Sequence, residues 1–362
     1  MRKIFQAGVS KTIAMKQYIR VGALSVAVVF VSGFALFTQK NKVLQPVFVT
    51  EQTAYDTDDP AIWINKKNPE QSLIIGTDKH SKGGLYVFDL KGKIVGEKIP
   101  LQRPNNVDVA YGFDLNGKQV DIAVVTERET NMIRVFSLPD MRQLDNGGIP
   151  VFLGEDKRAP MGIALYTRPA DNAIFAIVSR KTGPFENYLW QYQLKDDGKG
   201  NVMGEVARKF GDYSGKKEIE SIAVDNELGY VYYSDEEHGV HKYYADPVKG
   251  NTELALFGTS DFKEDIEGIS IYKTSNSKGY ILISNQQTNQ FMVYAREGSG
   301  NNKNEHKLIK AIDFSLQSSD GSEVTNVNLG PTFPKGMFVA MSEKKVFKIF
   351  DWRDIERSIQ LK

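Results

Sequence analysis

The segment Ile62 to Leu90, IWINKKNPEQSLIIGTDKHSKGGLYVFDL, holds the pattern that decides the fold. An apolar strand gives way to a turn, then a second strand that ends in polar residues, then a third strand carrying an aromatic. Short runs of Val, Ile, Tyr and Phe between Gly, Asn, Asp and Lys turns are strand signals. The same unit recurs at Val107 to Leu138, Gly162 to Leu194, Ile219 to Ala245, Ile266 to Ala295 and Val327 to Phe350. Its starts lie roughly 45 to 60 residues apart, the period of propeller blades. An array of immunoglobulin-type domains would also alternate strands and turns, but on a repeat of about 100 residues. The fold class read from this is all-β, a six-bladed β-propeller. Gln45 to Thr50 (QPVFVT) is predicted to complete the sixth blade, which would remove open sheet edges.

Residues 1–40 differ in kind. Arg2, Lys3, Lys11, Lys16 and Arg20 precede an uncharged run from Val21 to Phe37, VGALSVAVVFVSGFALF. Its length suits a short membrane span or a long signal-peptide core. Residues 1–40 are therefore read as a signal peptide or N-terminal membrane anchor, and residues 41–362 as the propeller domain. The expected location is outside the cytoplasmic membrane: secreted, periplasmic, or tethered on its outer side. Only the N-terminal segment, if uncleaved, would touch a membrane. Residues 41–362 carry 40 basic and 45 acidic side chains, so the domain has no general attraction for nucleic acid. A monomer is expected. The chain has no cysteine, which excludes disulfides, thiolate-zinc sites and cysteine-nucleophile chemistry. No Gly-rich phosphate loop or G-x-S-x-G elbow is present.

In a propeller, loops at equivalent strand ends converge on the central channel although they are far apart in sequence. The polar residues at those ends are Asp58 and Asp59, Asp78-Lys79-His80, Asn105-Asn106-Val107-Asp108, Glu127-Arg128, Arg180-Lys181, Glu218-Ile219-Glu220, Asp235-Glu236-Glu237, Glu264-Asp265-Ile266-Glu267, Asn285-Gln286 and Asp320-Gly321-Ser322-Glu323. Taken alone, Asp56-Thr57-Asp58-Asp59-Pro60 reads first as a solvated turn before a strand and only second as part of a hard-metal site. A ring of such carboxylates would bind Ca²⁺, and the ions with Lys and Arg would bind phosphate oxygens. His238 and His241, three apart on a predicted strand, should point to opposite faces and make a poor metal pair.

These residues also carry a resemblance. DTDDPAIW (Asp56 to Trp63), NNVD (Asn105 to Asp108), DLNGKQVDIA (Asp114 to Ala123), IESIA (Ile219 to Ala223), DIEGISIY (Asp265 to Tyr272) and LGPTFPKGMFVA (Leu329 to Ala340) resemble the β-propeller phytases, in order, over nearly the whole domain. The resemblance implies several bound Ca²⁺ ions and release of phosphate from phytate, myo-inositol hexakisphosphate, by attack of a metal-activated water. It implies calcium ligation by Asp59, Glu220, Glu236, Asp265, Glu267, Gln286 and Asp320, with Asp58, Asn106 and Asp108 at neighbouring calcium sites. Lys79, Arg128 and Lys181 match the bases that grip phosphate, and Glu220 and Glu323 complete the implied catalytic set. His80 stands where the family has a second lysine, with Lys82 close by as a substitute. Glu323 replaces an Asp, Met161 a phosphate-contacting Tyr and Thr182 a Glu. Two alternatives stand beside this reading. One is a catalytically weak or inactive phytase-like propeller that binds calcium–phosphate ligands. The other is a propeller hydrolase of another class, such as a lactonase.

Overall fold

The computed structural model describes residues 43–361, so the segment read as a signal peptide or anchor lies outside the described residues. Six antiparallel four-stranded sheets form the blades of the ring. The first blade comprises Thr57–Trp63, Leu73–Asp78, Gly84–Phe88 and Ile99–Pro100. The innermost strands of the next four are Pro104–Leu115, Pro160–Thr167, Ile222–Asp225 and Ile266–Lys273. The sixth blade runs Ser322–Thr325, Met337–Ser342 and Val346–Asp351, and its outer strand is Phe48–Val49 from the start of the domain. Phe48 pairs with Ile349 and Val49 with Lys348, closing the ring as the sequence predicts. Two details differ from expectation. The sixth blade starts at Ser322 rather than Val327, because SEVT is too polar to read as an apolar strand. The first five blades also have a fourth strand, missed because these are as short as Ile99–Pro100 or as exposed as Val202–Asp212.

The core is a ring of inter-blade contacts. Ile74 packs toward Met337, Val339 and Phe347 of the sixth blade, while its neighbour Ile75 packs toward Val107, Ala123 and Val125 of the second. A blade is thus covered on both faces, which is why its middle strand reads as a continuous apolar run rather than an alternating one. Tyr166, Phe175 and Tyr188 meet Val231, Tyr233 and Tyr243 across the third and fourth blades in the same way. The single α-helix among the described residues, Trp352–Gln360, is capped by the Asp351 carboxylate, which accepts from Arg353 N–H at 2.9 Å. Trp352 stacks on Tyr272 of the fifth blade, fastening the chain end over the last joint.

Four innermost strands begin with a β-bulge, at Thr57/Pro60, Pro104/Val107, Pro160/Ile163 and Ile266/Ile269. Bulges re-aim side chains and occur beside functional sites. A Ser or Thr from the second strand satisfies the amide that the bulge frees: Thr77 Oγ1 accepts from Asp59 N–H at 2.9 Å, Thr126 Oγ1 from Asn106 at 3.1 Å, and Ser179 Oγ from Gly162 at 2.8 Å. Gly162 is needed for space, since a Cβ there would lie 1.9 Å from the Glu220 carbonyl oxygen of the next blade. Gly162→Ala should therefore destabilise the protein by about 1–3 kcal/mol, the usual cost of overpacking. Denaturant unfolding checks this, and a change under about 0.5 kcal/mol would mean that the blades give way.

Candidate active site and metal centre

Antiparallel pairing places the start of each blade's first strand and the end of its second at one mouth of the channel. The residue just past the second strand occupies an equivalent place in five blades: Lys79, Arg128, Lys181, Glu236 and Gln286. Each donates its backbone N–H to a carbonyl shortly before the first strand, as in Lys79 to Asp56 (2.7 Å), Arg128 to Arg103 (3.0 Å), Lys181 to Ala159 (2.8 Å) and Glu236 to Glu218 (3.0 Å). One repeated backbone bond thus sets three bases, a carboxylate and an amide around the opening.

Their side chains meet those of the first strands. Lys79 Nζ lies 2.7 Å from Asp58 and also pairs with Asp320. Asn105 Nδ2 donates to Asp58 Oδ2 (2.8 Å) and Glu220 Oε1 (2.6 Å), while its Oδ1 accepts from Arg128. Glu218, Glu220 and Glu236 bring carboxylate oxygens within 4.8 Å of one another, and so do Glu236, Asp265 and Glu267. Gln286 Nε2 donates to Asp320 Oδ1. Lys181 pairs with Glu218 at the rim, and Lys217 pairs with Asp265 and Glu236. Farther down, Asp59, Asn106, Asp108 and Glu323 line a cavity of about 580 Å³ that occupies the channel. The expected residues therefore form two groups. Glu323 faces Asp108 and Asp59 in the channel rather than Lys79 and Arg128 at the mouth. His80 stacks on Tyr55 beside the mouth, and Lys82 is exposed next to it.

Both groups are short of positive charge. Asp58, Asp59, Glu236, Asp265 and Glu267 are all buried. Burial pushes the Asp58, Asp59 and Glu267 carboxyls well above the usual range, with neighbouring carboxylates adding to the effect. Burial lifts Glu236 to about 8, helped by Glu220, and lifts Glu323 to about 8, helped by Asp108; Asp108 itself reaches about 6. Burial opposes the Lys79 ammonium, but Asp58, Asp320 and Glu220 outweigh it and hold its pKa well above the ordinary lysine value. Two buried carboxylate oxygens lack a hydrogen-bond partner: Asp58 Oδ1, which is ion-paired with Lys79, and Glu267 Oε2. The latter atom, in a site of oxygen donors alone, fits a hard cation, which takes about six to eight oxygen ligands when it is Ca²⁺.

Four residues of this mouth were given no role from sequence; Asn105 and Glu218 were named only as polar strand-end residues, and Lys217 and Gln287 not at all. Asn105 joins three of its charged groups, and Lys217 sits between two carboxylates. Glu218 bridges Lys181 to the ring, and Gln287 orients Asp265 by donating to its Oδ2 (2.7 Å) and accepting from its N–H (3.0 Å). A repeat in the sequence marks the ring residues that were predicted, since Thr77-Asp78-Lys79, Thr126-Glu127-Arg128, Ser179-Arg180-Lys181, Ser234-Asp235-Glu236 and Ser284-Asn285-Gln286 each pair a hydroxyl with a site residue two positions on, but it reaches none of these four.

The histidines correct an expectation. The third strand of the fourth blade begins at Gly239, so His238 lies in the preceding turn rather than on the strand. Alternation does not apply across that turn. The His238 and His241 rings sit 5.7 Å apart, in one cluster with Asp235.

Fold and mouth together define a six-bladed propeller whose buried carboxylate ring can hold metal and is flanked by lysine and arginine. Comparison with known proteins places it further. The family model described as Phytase matches residues 12–359. The chain is 33% identical over 321 residues to the 3-phytase of Bacillus subtilis (strain 168), a match covering 83% of this chain and 81% of that one. The chain belongs to the phytase family.

Proposed function

We propose that this protein is a calcium-dependent phytase that removes phosphate from myo-inositol hexakisphosphate. The carrying observation is the crowding of buried, all-oxygen carboxylates at one channel mouth, with Glu267 Oε2 unpartnered among them, beside three bases. Family membership supports the substrate, and it leaves the lactonase-type alternative without an observation in its favour. Asp58, Glu220, Glu236, Asp265, Glu267, Gln286 and Asp320 would hold calcium at the mouth, and Asp59, Asn106, Asp108 and Glu323 would do so in the channel. Bound calcium neutralises polyanionic substrate, polarises the phosphoryl group and lowers the pKa of water. Lys79, Arg128 and Lys181 hold phosphate oxygens and oppose the charge that builds on them in the transition state. Glu220, half-buried and hydrogen-bonded through Asn105, is placed to accept a proton from the attacking water. No covalent enzyme intermediate is required. Phosphate release from phytate by the full chain, followed across a calcium series and a pH series, tests the proposal; no calcium-dependent release at any pH would end it.

The ammonium of Lys217 occupies ground between Glu236 and Asp265 that a cation would otherwise take. Lys217→Ala should therefore lower the calcium concentration for half-maximal activity, by ~5-fold for a partly exposed pair worth at most about 1 kcal/mol. A higher calcium requirement would show that Lys217 supports the site rather than competing for it.

The propeller is proposed to be residues 41–362, exported by or tethered through residues 1–40. A second reading, a weak or inactive phytase-like propeller that binds calcium–phosphate ligands, is favoured by Met161. Its thioether lies against the Arg128 guanidinium where the family pattern has a hydroxyl.

A further inference from the structure

On the outer side of the carboxylate ring, the fourth blade carries a second group of donors. Asp235 and His241 are buried, and His238 is half-exposed. One ligand atom from each lies within 4.8 Å of the other two. Asp235 is fixed in place, its Oδ1 accepting from Ser214 Oγ (2.7 Å) and its Oδ2 from Ser214 N–H (2.6 Å). Asp78, Glu127 and Asn285 clasp the segments before their own first strands in the same way, so the clasp accounts for the burial of Asp235. It does not account for two imidazoles.

His241 is oriented from behind. Its Nδ1 lies 2.5 Å from Glu253 Oε1, and its ring stacks on Tyr233 at 4.6 Å. Its Nε2 is buried without a hydrogen-bond partner; Asp235 Oδ2 is 3.4 Å away and poorly aligned. A ring nitrogen held by a carboxylate, with the opposite nitrogen aimed at an open donor set, is the usual arrangement of a metal-binding histidine. His238, the half-exposed member of the group, also lines a pocket of about 300 Å³ together with Thr259, Phe262 and Glu264.

We propose that Asp235, His238 and His241 form a second metal site, selective for a divalent transition ion of the zinc, cobalt or nickel class, with Glu253 as the positioning residue. Imidazole nitrogens suit these ions, whereas calcium takes oxygen. Two imidazoles and one carboxylate leave a fourth position to water. The site joins Ser214, Asp235 and the third strand of the blade immediately behind Glu236, so an ion there would brace one sector of the ring. The competing account is an imidazolium held between Asp235 and Glu253. Arg134 provides a parallel in the second blade, where its guanidinium lies between Glu127 and Asp145 at 3.1 and 2.9 Å. Arg134 satisfies both carboxylates; His241 leaves its Nε2 unsatisfied and has a second ring beside it.

The test is titration of the full-length, calcium-saturated protein with Co²⁺, followed by visible absorption and by calorimetry. The expected result is one Co²⁺ per chain with the intense bands of a low-coordinate imidazole site, displaced by Zn²⁺ but not by excess Ca²⁺. His238→Ala alters a half-exposed turn residue, so folding is retained, and it should abolish the bands. Glu253→Gln should weaken affinity about 10- to 100-fold. Calcium stoichiometry should stay the same in both variants. Absence of Co²⁺ uptake, or uptake unchanged by His238→Ala, would overturn the site and leave His241 as a charged bridge like Arg134. Neither result bears on phytate hydrolysis, so failure here is distinct from failure of the calcium reading.

Discussion

Chelation of calcium should lower the melting temperature of this protein, and the drop should be larger at pH 8 than at pH 5. The sign follows from the buried carboxyls. Asp58, Asp59 and Glu267 are raised well above the ordinary range by burial, and Glu236 and Glu323 are lifted to about 8 for the same reason. Their unfolded values are near 4, so between about pH 4.5 and 8 the metal-free folded state binds more protons than the unfolded chain. Stability then falls as pH rises through that window. Calcium would reverse the trend, because it would bind the ionised carboxylates and only the folded state assembles them. At a calcium concentration about 100 times the dissociation constant, each site contributes about 2.7 kcal/mol. For a domain of this size that corresponds to a shift of about 4 °C per site. Melting curves at pH 5 and pH 8, with calcium and with chelator, decide the matter. A midpoint insensitive to chelator at pH 8 would mean that the ring is held together by its lysines and shared protons alone.

The propeller was legible because covered blades force continuous apolar strands, and six such units at blade spacing leave few alternatives. Ile74 and Ile75 show the principle, since each belongs to a different inter-blade core. The outer strands of the first five blades were not legible: Ile99–Pro100 and Ile149–Pro150 are two residues each and depend on pairing with an existing edge. At the mouth, charged residues beside strand ends could be named from sequence. Their grouping could not, because it depends on the bulges that turn adjacent residues in different directions. Asp58 turns to Lys79 and Asn105 at the mouth, while its neighbour Asp59 lines the channel cavity and accepts from Val107 N–H at 3.1 Å. Asn105 was passed over for a related reason. A buried amide that links Asp58, Glu220 and Arg128 has no local signature beyond its place beside Asn106. His238 was misassigned because strand alternation was extended one residue too far into a turn.

Arg128→Ala should lower kcat/KM for phytate by about 100- to 1000-fold, the range for loss of one aligned donor to transition-state charge. Its calcium stoichiometry should not change. Arg128 is half-buried, its pKa lowered by burial despite Glu220 and Asp58 nearby, and its fork is already aligned by Asn105 Oδ1. Arg128→Lys should recover little, since a flexible ammonium cannot reproduce two parallel donors. Met161→Tyr then distinguishes the two readings of the protein. Met161 is 1% exposed and its sulfur lies against the same guanidinium, so a tyrosine there would bring a hydroxyl to the phosphate beside Arg128. A hydrogen bond to a charged group is worth about 1.5–3 kcal/mol, so turnover should rise at least ~10-fold. The ring needs more room than the thioether, so the melting temperature of the variant has to be measured alongside. If the fold is intact and kcat is unchanged, Met161 is not what limits the enzyme. If kcat rises in Met161→Tyr but not in Met161→Tyr combined with Arg128→Ala, the two side chains act on one phosphate oxygen. The wild-type protein would then be a phytase held back at that contact.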